Sequence, residues 1–232
     1  MISDFPYLSE DIFFQFPPIE NATPEGIVAM GGNLSPGMLL SAYRQGIFPW
    51  YSGGEPILWW SPDPRFILFP EKLHIPASLE KILKRKVFTF TADKDFSSVI
   101  KGCRNARRKD QPGTWITREM LKAYIHLHEL GYAHSVEAWQ NRRLAGGLYG
   151  VSLGSCFFGE SMFTRVSNAS KAAFVEFVRK SASLGIKLID CQVFTGHLKR
   201  FGAEMTPREN FLKLLQVRLK CPTQKGNWSG LF

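Results

Sequence analysis

LIDCQVF, residues Leu188 to Phe194, has the apolar composition of a buried strand and yet carries a carboxylate and an amide two residues apart. Successive side chains of a strand point to opposite faces. Leu188, Asp190, Gln192 and Phe194 are therefore expected on one face, and Ile189, Cys191 and Val193 on the other. A carboxylate on a covered face costs several kcal/mol in order of magnitude unless it is paired or hydrogen-bonded. Either Asp190 and Gln192 form a structural polar pair, or their face lines a site.

The 232 residues are enough for one large domain or two unequal ones, and 44% are hydrophobic, which allows a sizeable core. The longest apolar runs are too short to span a bilayer. The N-terminal stretch has no basic region and no small-residue cleavage site, so a cytoplasmic protein with no membrane partner is expected. The four cysteines, Cys103, Cys156, Cys191 and Cys221, are scattered without metal-ligand spacing and read as free thiols. His74, His126, His128, His134 and His197 form no metal spacing either, so no metal is expected. A net charge of +9 favours an anionic partner, with nucleic acid ahead of membrane.

Outward from the opening stretch, SNASKAAFVEFVRKSASLG before it predicts a helix with Phe174, Phe177 and Val178 inward and Gly185 at its end. HSVEAWQ, RRLAGGLYGVSLG and SCFFGESMF read as three antiparallel strands, the last two a hairpin. TREMLKAYIHLHELG predicts a helix capped by Thr117, with Leu121, Tyr124, Ile125 and His128 on its apolar stripe. VFTFTA reads as a strand, and DFSSVIKGC and PASLEKILKRK as helices. Before about Arg65 the chain is rich in Pro and Gly and holds one clear helix, with Ser35 as N-cap, Pro36 at its first position and Gly46 beyond its end. TPRENFLKLL opens the last helix. The expected fold is α/β (α+β), with a small N-terminal domain over residues 1–64 and a catalytic domain over 65–232. A strand carrying Gly146 and Gly147, a hairpin, a helix and a final strand resemble the arrangement of GNAT-type acyltransferases.

Longer strings carry a sharper resemblance. GIFPWYSGGEPILWWSPDPR, GTWITREMLKAYIHLHELGYAHSVEAW, GGLYGVSLGSCFFGESMF, NASKAA and KLIDCQVF, spread from about Gly32 to Arg208, closely resemble the bacterial leucyl/phenylalanyl-tRNA–protein transferases. The resemblance implies transfer of Leu or Phe, with Met as a third candidate, from aminoacyl-tRNA to acceptor proteins beginning with Arg or Lys. That transfer marks the acceptor for N-end-rule degradation. It also implies a GNAT-like domain behind a smaller N-terminal one.

The chemistry implied is aminolysis of an ester that is already activated, so no cofactor is needed. The protein has to hold the ester, hold a neutral amine and align them, and alignment alone supplies roughly 7–11 kcal/mol in favourable cases. An N-terminal amine, with a pKa of about 8, is deprotonated near neutrality at little cost. By resemblance Asp190 and Gln192 are the catalytic pair, the carboxylate drawing a proton from the amine through the glutamine. An ordinary Asp is a weak base for that task, and orienting Gln192 or holding the amine are alternatives. Glu160 in FFGESMF is expected to contact the substrate amine or the basic first residue of the acceptor. Phe157, Gly159, Phe174, Phe177 and Ile189 match the positions lining the family's side-chain pocket, and ordinary core packing is the alternative for each. Trp50 and Trp115 match positions that hold the tRNA 3′ end, with Tyr43 and Tyr124 as hydroxyl donors for the ribose or ester. Trp59 and Trp60 read as core or domain interface.

Lys81, Lys84 and Arg85 match a basic cluster set against the tRNA acceptor stem, and Lys86 extends it; a solvated helix face is the plain alternative. Arg104, Arg107, Arg108 and Lys109 form a second basic loop, a tRNA contact by charge alone. Expected partners are Leu-tRNA, Phe-tRNA and the acceptor protein, with the chain acting as a monomer. Two other readings stay open. An acetyl-CoA-dependent acyltransferase would want a glycine-rich pyrophosphate turn, which FTRVSNASKAA lacks. A non-catalytic tRNA-binding protein would account for the charge but not for Asp190 and Gln192 beside an apolar pocket.

Overall fold

A computed structural model describes residues 5–106 and 114–232. The first three strands, β1 (Ile27–Met30), β2 (Phe48–Pro49) and β3 (Leu58–Trp60), form a small antiparallel sheet in the order β1-β3-β2. Helix α1 (Pro36–Arg44) lies between β1 and β2. Pro36 supplies a preset first turn, and Gly46 leaves the helix at a φ of +73° that glycine adopts without strain. Eight of its nine residues, Tyr43 among them, are buried.

The remaining strands form one seven-stranded sheet. They are β4 (Arg65–Leu68), β5 (Thr89–Ala92), β6 (Ala133–Gln140), β7 (Arg143–Leu153), β8 (Cys156–Thr164), β9 (Leu188–Gln192) and β10 (Glu204–Thr206), in the order β10-β4-β9-β8-β7-β6-β5. All neighbours are antiparallel except β8 and β9, which pair in parallel only from Cys156↔Leu188 to Phe158↔Asp190 and then part. A parallel neighbour requires a crossover, and α5 (Ala169–Lys180) provides it. The expected antiparallel trio, the helix after it and the strand LIDCQVF are present, but that strand is not the final one: β10 follows it and adds an edge to the sheet beyond β4.

Both faces of this sheet are covered, and the period of two assigns residues to them. Tyr149, Val151, Phe158 and Leu188 join a core with α1, α3 (Phe96–Asn105), α4 (Arg118–Glu129) and α7 (Arg208–Leu219). Phe157, Ile189, Val136 and Leu148 join a second core with α5 and with Leu79 of α2 (Ala77–Lys84). The short α6 (Gly196–Lys199) follows β9. Thr117 caps α4 by accepting from the amide of Met120 at 3.2 Å. The apolar stripe of α4 differs from expectation. Met120, Tyr124 and Leu127 are fully buried, while Leu121, Ile125 and His128 are only partly covered. Tyr124 faces the centre of the molecule, and the positions four before and three after it share that face.

Two register breaks interrupt the sheet where β8 and β9 part. Between β7 and β8 the pairing passes from Gly150↔Gly159 to Tyr149↔Ser161, so Glu160 is an extra, bulged residue. Between β4 and β9 it passes from Ile67↔Asp190 to Phe66↔Gln192, which bulges Cys191. Gln192 ends the strand at a φ of +63°. The simple alternation expected along LIDCQVF breaks down there, and Val193 and Phe194 stand at the surface. Among the described residues, no helix is long and apolar enough to cross a membrane.

Candidate active site

Glu160 is the centre around which the polar groups converge. The bulge turns its carboxylate toward the core that holds α1 and α4. There Oε1 accepts from the Tyr43 hydroxyl at 2.7 Å and from Nε2 of Gln192 at 2.8 Å, and Oε2 accepts from the Tyr124 hydroxyl at 2.9 Å. The two tyrosine hydroxyls are also bonded to each other. Four separate stretches of chain thus meet at one carboxylate that is 9% exposed. Burial pushes its pKa up, the bonds from Tyr43, Tyr124 and Gln192 pull it down, and nearby Asp190 adds a smaller upward push; it comes to about 7. Burial first, then the charge of Glu160, lifts both tyrosines well above their ordinary value, so they stay protonated as donors at neutral pH.

A cavity of about 650 Å³ opens beside this group, a size suited to a small-molecule moiety. Glu160 and Gln192 form its polar part. Phe157, Gly159, Phe174 and Ile189, with Leu148 and Met162, form an apolar part. Trp50 and Trp115 stand in its wall with Phe48 and Pro49, and Trp60 donates from its indole to the Trp50 carbonyl at 2.6 Å. His197 also lines the cavity, and burial, then the charges of Lys171 and Arg200, push its pKa down to about 4.

The structure therefore brings most of the expected site residues to one cavity and separates others from it. Phe177 lies outside the cavity wall, fully buried, with its ring 4.3 Å from that of Phe157. Tyr43 and Tyr124 reach the cavity only through Glu160. Trp59 is core and Trp60 is partly covered.

Asp190 also lies outside the wall, completely buried. Its Oδ1 accepts from Arg65 Nε at 2.8 Å and from the Gln192 amide at 2.9 Å, and its Oδ2 accepts from Arg65 Nη2 at 2.6 Å. Among the groups to which the sequence reading gave no site role are Arg65, Met162 and His197. Arg65 did carry a signal, since an arginine heading the apolar run RFILF raises the same question as the aspartate in LIDCQVF.

Lys81, Lys84 and Arg85 are exposed on α2 and its C-cap, with Lys84 paired to Glu80 at 3.2 Å. Helix α2 packs on α5, whose Phe174 belongs to the cavity wall. Arg104 lies in the last turn of α3, whereas Arg107, Arg108 and Lys109 lie outside the described residues. No group of three or more His, Cys, Asp or Glu among the described residues could hold a metal ion.

Two family models match the chain. One is described as leucyl/phenylalanyl-tRNA protein transferase and covers residues 67–216; the other, its N-terminal domain, covers residues 32–63. A leucyl/phenylalanyl-tRNA–protein transferase of Syntrophus aciditrophicus is 58% identical over 214 residues, 92% of this chain and 90% of its own. The Myxococcus xanthus protein of that name is 55% identical, covering 92% of each chain. That of Desulfatibacillum aliphaticivorans is 54% identical over 96% of this chain and 94% of its own. Among solved structures, a GCN5-related N-acetyltransferase from Kribbella flavida superposes with a TM-score of 0.38 at 12% identity, covering 75% of this chain and 62% of that one. So loose a match adds nothing to the strand order, which is read from the pairings of this chain.

Proposed function

The chain belongs to the leucyl/phenylalanyl-tRNA protein transferase family, and from that premise we propose that it moves Leu or Phe from aminoacyl-tRNA to the amino terminus of acceptor proteins beginning with Arg or Lys. The new peptide bond marks the acceptor for degradation by the N-end rule. The enzyme acts as a monomer in the cytoplasm. Residues 1–64 form a small domain that lends Tyr43 and Trp50 to the site, and residues 65–232 form the catalytic domain.

The observation that carries this reading is Glu160, held by two tyrosines and Gln192 at the edge of a mostly apolar cavity. In the proposed step the amine nitrogen of the acceptor attacks the ester carbonyl. A carbon–nitrogen bond forms, and the bond to the ribose oxygen breaks. The amine gives up a proton and the leaving ribose oxygen takes one. A carboxylate with a pKa of about 7 suits both halves of that exchange near neutral pH. Glu160 therefore accepts the proton, and Gln192 holds Glu160 and the incoming amine in line. Asp190 has every oxygen engaged away from the cavity, so it serves the reaction through Gln192.

Leu or Phe fits the space bounded by Phe157, Gly159, Phe174 and Ile189, where branching at Cβ would crowd the wall. Trp50 and Trp115 offer stacking faces for the terminal adenosine, worth about 1–3 kcal/mol per base. Only one arginine and seven carboxylates precede Arg65, so the positive charge is carried by the rest of the chain. Lys81, Lys84 and Arg85 there meet acceptor-stem phosphates without reading sequence.

The test is transfer of labelled leucine from Leu-tRNA to a peptide starting with Arg. It compares wild type with Glu160→Gln, Gln192→Ala and Asp190→Asn, with tRNA binding measured in parallel. Transfer by wild type that disappears in Glu160→Gln while tRNA still binds supports the reading. Binding without transfer by wild type would leave a tRNA-binding protein.

A further inference from the structure

Arg65 heads β4, is completely buried, and lies beside β9, whose Gln192 pairs with the next residue, Phe66. Its guanidinium meets Asp190 as a two-pronged fork, at 2.8 Å through Nε and 2.6 Å through Nη2. The guanidinium carbon is 4.7 Å from the ring centre of Phe48 and 4.8 Å from that of Phe211. Wedged between two rings, the cation has little freedom. Phe48 is itself part of the cavity wall, so the ion pair stands immediately behind the site.

What the clamp holds is visible one step further along. Asp190 Oδ1, fixed by Arg65, accepts the backbone N–H of Gln192 at 2.9 Å. A carboxylate that accepts the amide two residues on closes a local turn. That turn is where Gln192 adopts a φ of +63°, a conformation costly for a residue with a side chain and found where the surroundings enforce it. The turn swings the Gln192 side chain away from the direction of Asp190 and onto Oε1 of Glu160 at 2.8 Å.

We propose that Arg65 is a positioning residue for aminoacyl transfer: by clamping Asp190 it holds the backbone of Gln192 in its left-handed turn and so aims the Gln192 carboxamide at Glu160. The inference rests on the reading of Glu160 as the proton acceptor. It gives Asp190 a place in a chain of positioning interactions, Arg65 to Asp190 to Gln192, in which only Gln192 and Glu160 face substrate.

The experiment is a pH profile of transfer from Leu-tRNA to an Arg-starting peptide for wild type, Arg65→Lys, Gln192→Ala and the double variant, with thermal unfolding of each. Lysine keeps the charge but loses the fork. The titratable groups that face Glu160 are Tyr43 from α1, Tyr124 from α4 and Asp190 from β9; both tyrosines stay protonated across the range. Without the Gln192 bond, the limb set by Glu160 moves toward higher pH by about one unit. Arg65→Lys is expected to reproduce the Gln192→Ala shift, and the double variant to shift no further than Gln192→Ala alone. An unshifted limb in Arg65→Lys, or shifts that add in the double variant, overturns the inference. Should Arg65→Lys fail to fold, Asp190→Asn takes its place. Because loss of the Asp190 charge by itself lowers the limb, its shift is compared in the wild-type and Gln192→Ala backgrounds. A more upward shift in wild type is expected, and equal shifts overturn the inference. Glu160→Gln separates the two readings. If its profile keeps the limb, the assignment of Glu160 falls and the clamp falls with it. If the limb vanishes in Glu160→Gln but Arg65→Lys leaves it in place, only the clamp falls.

Discussion

Nε2 of Gln192 lies 2.8 Å from Oε1 of Glu160, a hydrogen bond between residues 32 apart in sequence, each displaced from regular strand geometry. The carboxylate belongs to a bulged residue and the amide to a left-handed one. Removing either group leaves the other buried with one bond fewer. Glu160→Gln removes the proton acceptor while keeping the size, and turns one accepting oxygen into a donating NH2. Its turnover is expected to fall by about 10²–10⁴-fold, the usual contribution of a general base, with tRNA affinity unchanged. Single-turnover transfer with saturating Leu-tRNA checks this.

Tyr43 and Tyr124 each donate to Glu160 and thereby lower its pKa against the larger upward push of burial. Tyr43→Phe and Tyr124→Phe are each expected to move the Glu160 limb to higher pH by about 1–2 units, the worth of a hydrogen bond to a charged group. The acceptor amine titrates near pH 8. Two ionisations should thus shape the rate profile with pH, and only the lower one should move in these variants.

The same carboxylate makes a pH-dependent contribution to stability. Its pKa rises on folding from 4.5 to about 7, so its favourable contribution is complete below pH 4.5 and is lost as pH rises through about 7. Other groups titrate as well, and the informative quantity is the difference between wild type and Glu160→Gln. Denaturant unfolding should show that difference moving against wild type by about 3 kcal/mol between pH 4 and pH 8. A difference independent of pH would contradict the burial argument.

Phe174 and Phe177 sit three residues apart on α5 but differ in role. Phe174 lines the cavity and Phe177 packs behind Phe157. Phe174→Ala is expected to change the preference among amino acids by about 1–3 kcal/mol, read as the ratio of kcat/KM for Leu-tRNA and Phe-tRNA. Phe177→Ala is expected to cost about 3–5 kcal/mol of stability. Gly159 offers the converse test. A Cβ there would meet only the Asp190 carbonyl oxygen, at 3.5 Å, so Gly159→Ala should fold normally and narrow the cavity.

Lys81, Lys84 and Arg85 are exposed, and one of them already has an acidic neighbour. Replacing all three by alanine should weaken tRNA binding evenly across tRNA sequences. The slope of log affinity against log salt should flatten by about 2–3, near one for each phosphate no longer neutralised. Fluorescence anisotropy over a salt series gives that slope.

Much of the sheet was legible in the sequence because its signals are local. The strands flanking the Asn141–Arg142 and Gly154–Ser155 turns, the Thr117 cap and the Pro36 start each announce themselves within a few residues. Glu160 was legible as a site residue, but its bulge was not. One extra residue in a strand has no compositional signature, and it shows only as a slip in pairing with β7. The same blindness hid the break at Cys191 and misplaced Gln192 and Phe194 relative to Asp190. Arg65 was missed for another reason. Its partner is 125 residues away, and a buried ion pair is recognisable only when both halves are seen together.

The assembly around Glu160 has a consequence for how the chain comes to work. One donor arrives from 117 residues upstream, on α1, another from 36 upstream, on α4, and a third from 32 downstream. Contacts between segments so far apart carry a loop-closure cost that local hairpins and helices avoid. Without α1 docked, the carboxylate lacks the Tyr43 bond and part of the burial that set its pKa, and it keeps more of the weak basicity of an ordinary glutamate. Transfer is therefore expected to report the docking of α1 and α4 as well as the formation of the sheet.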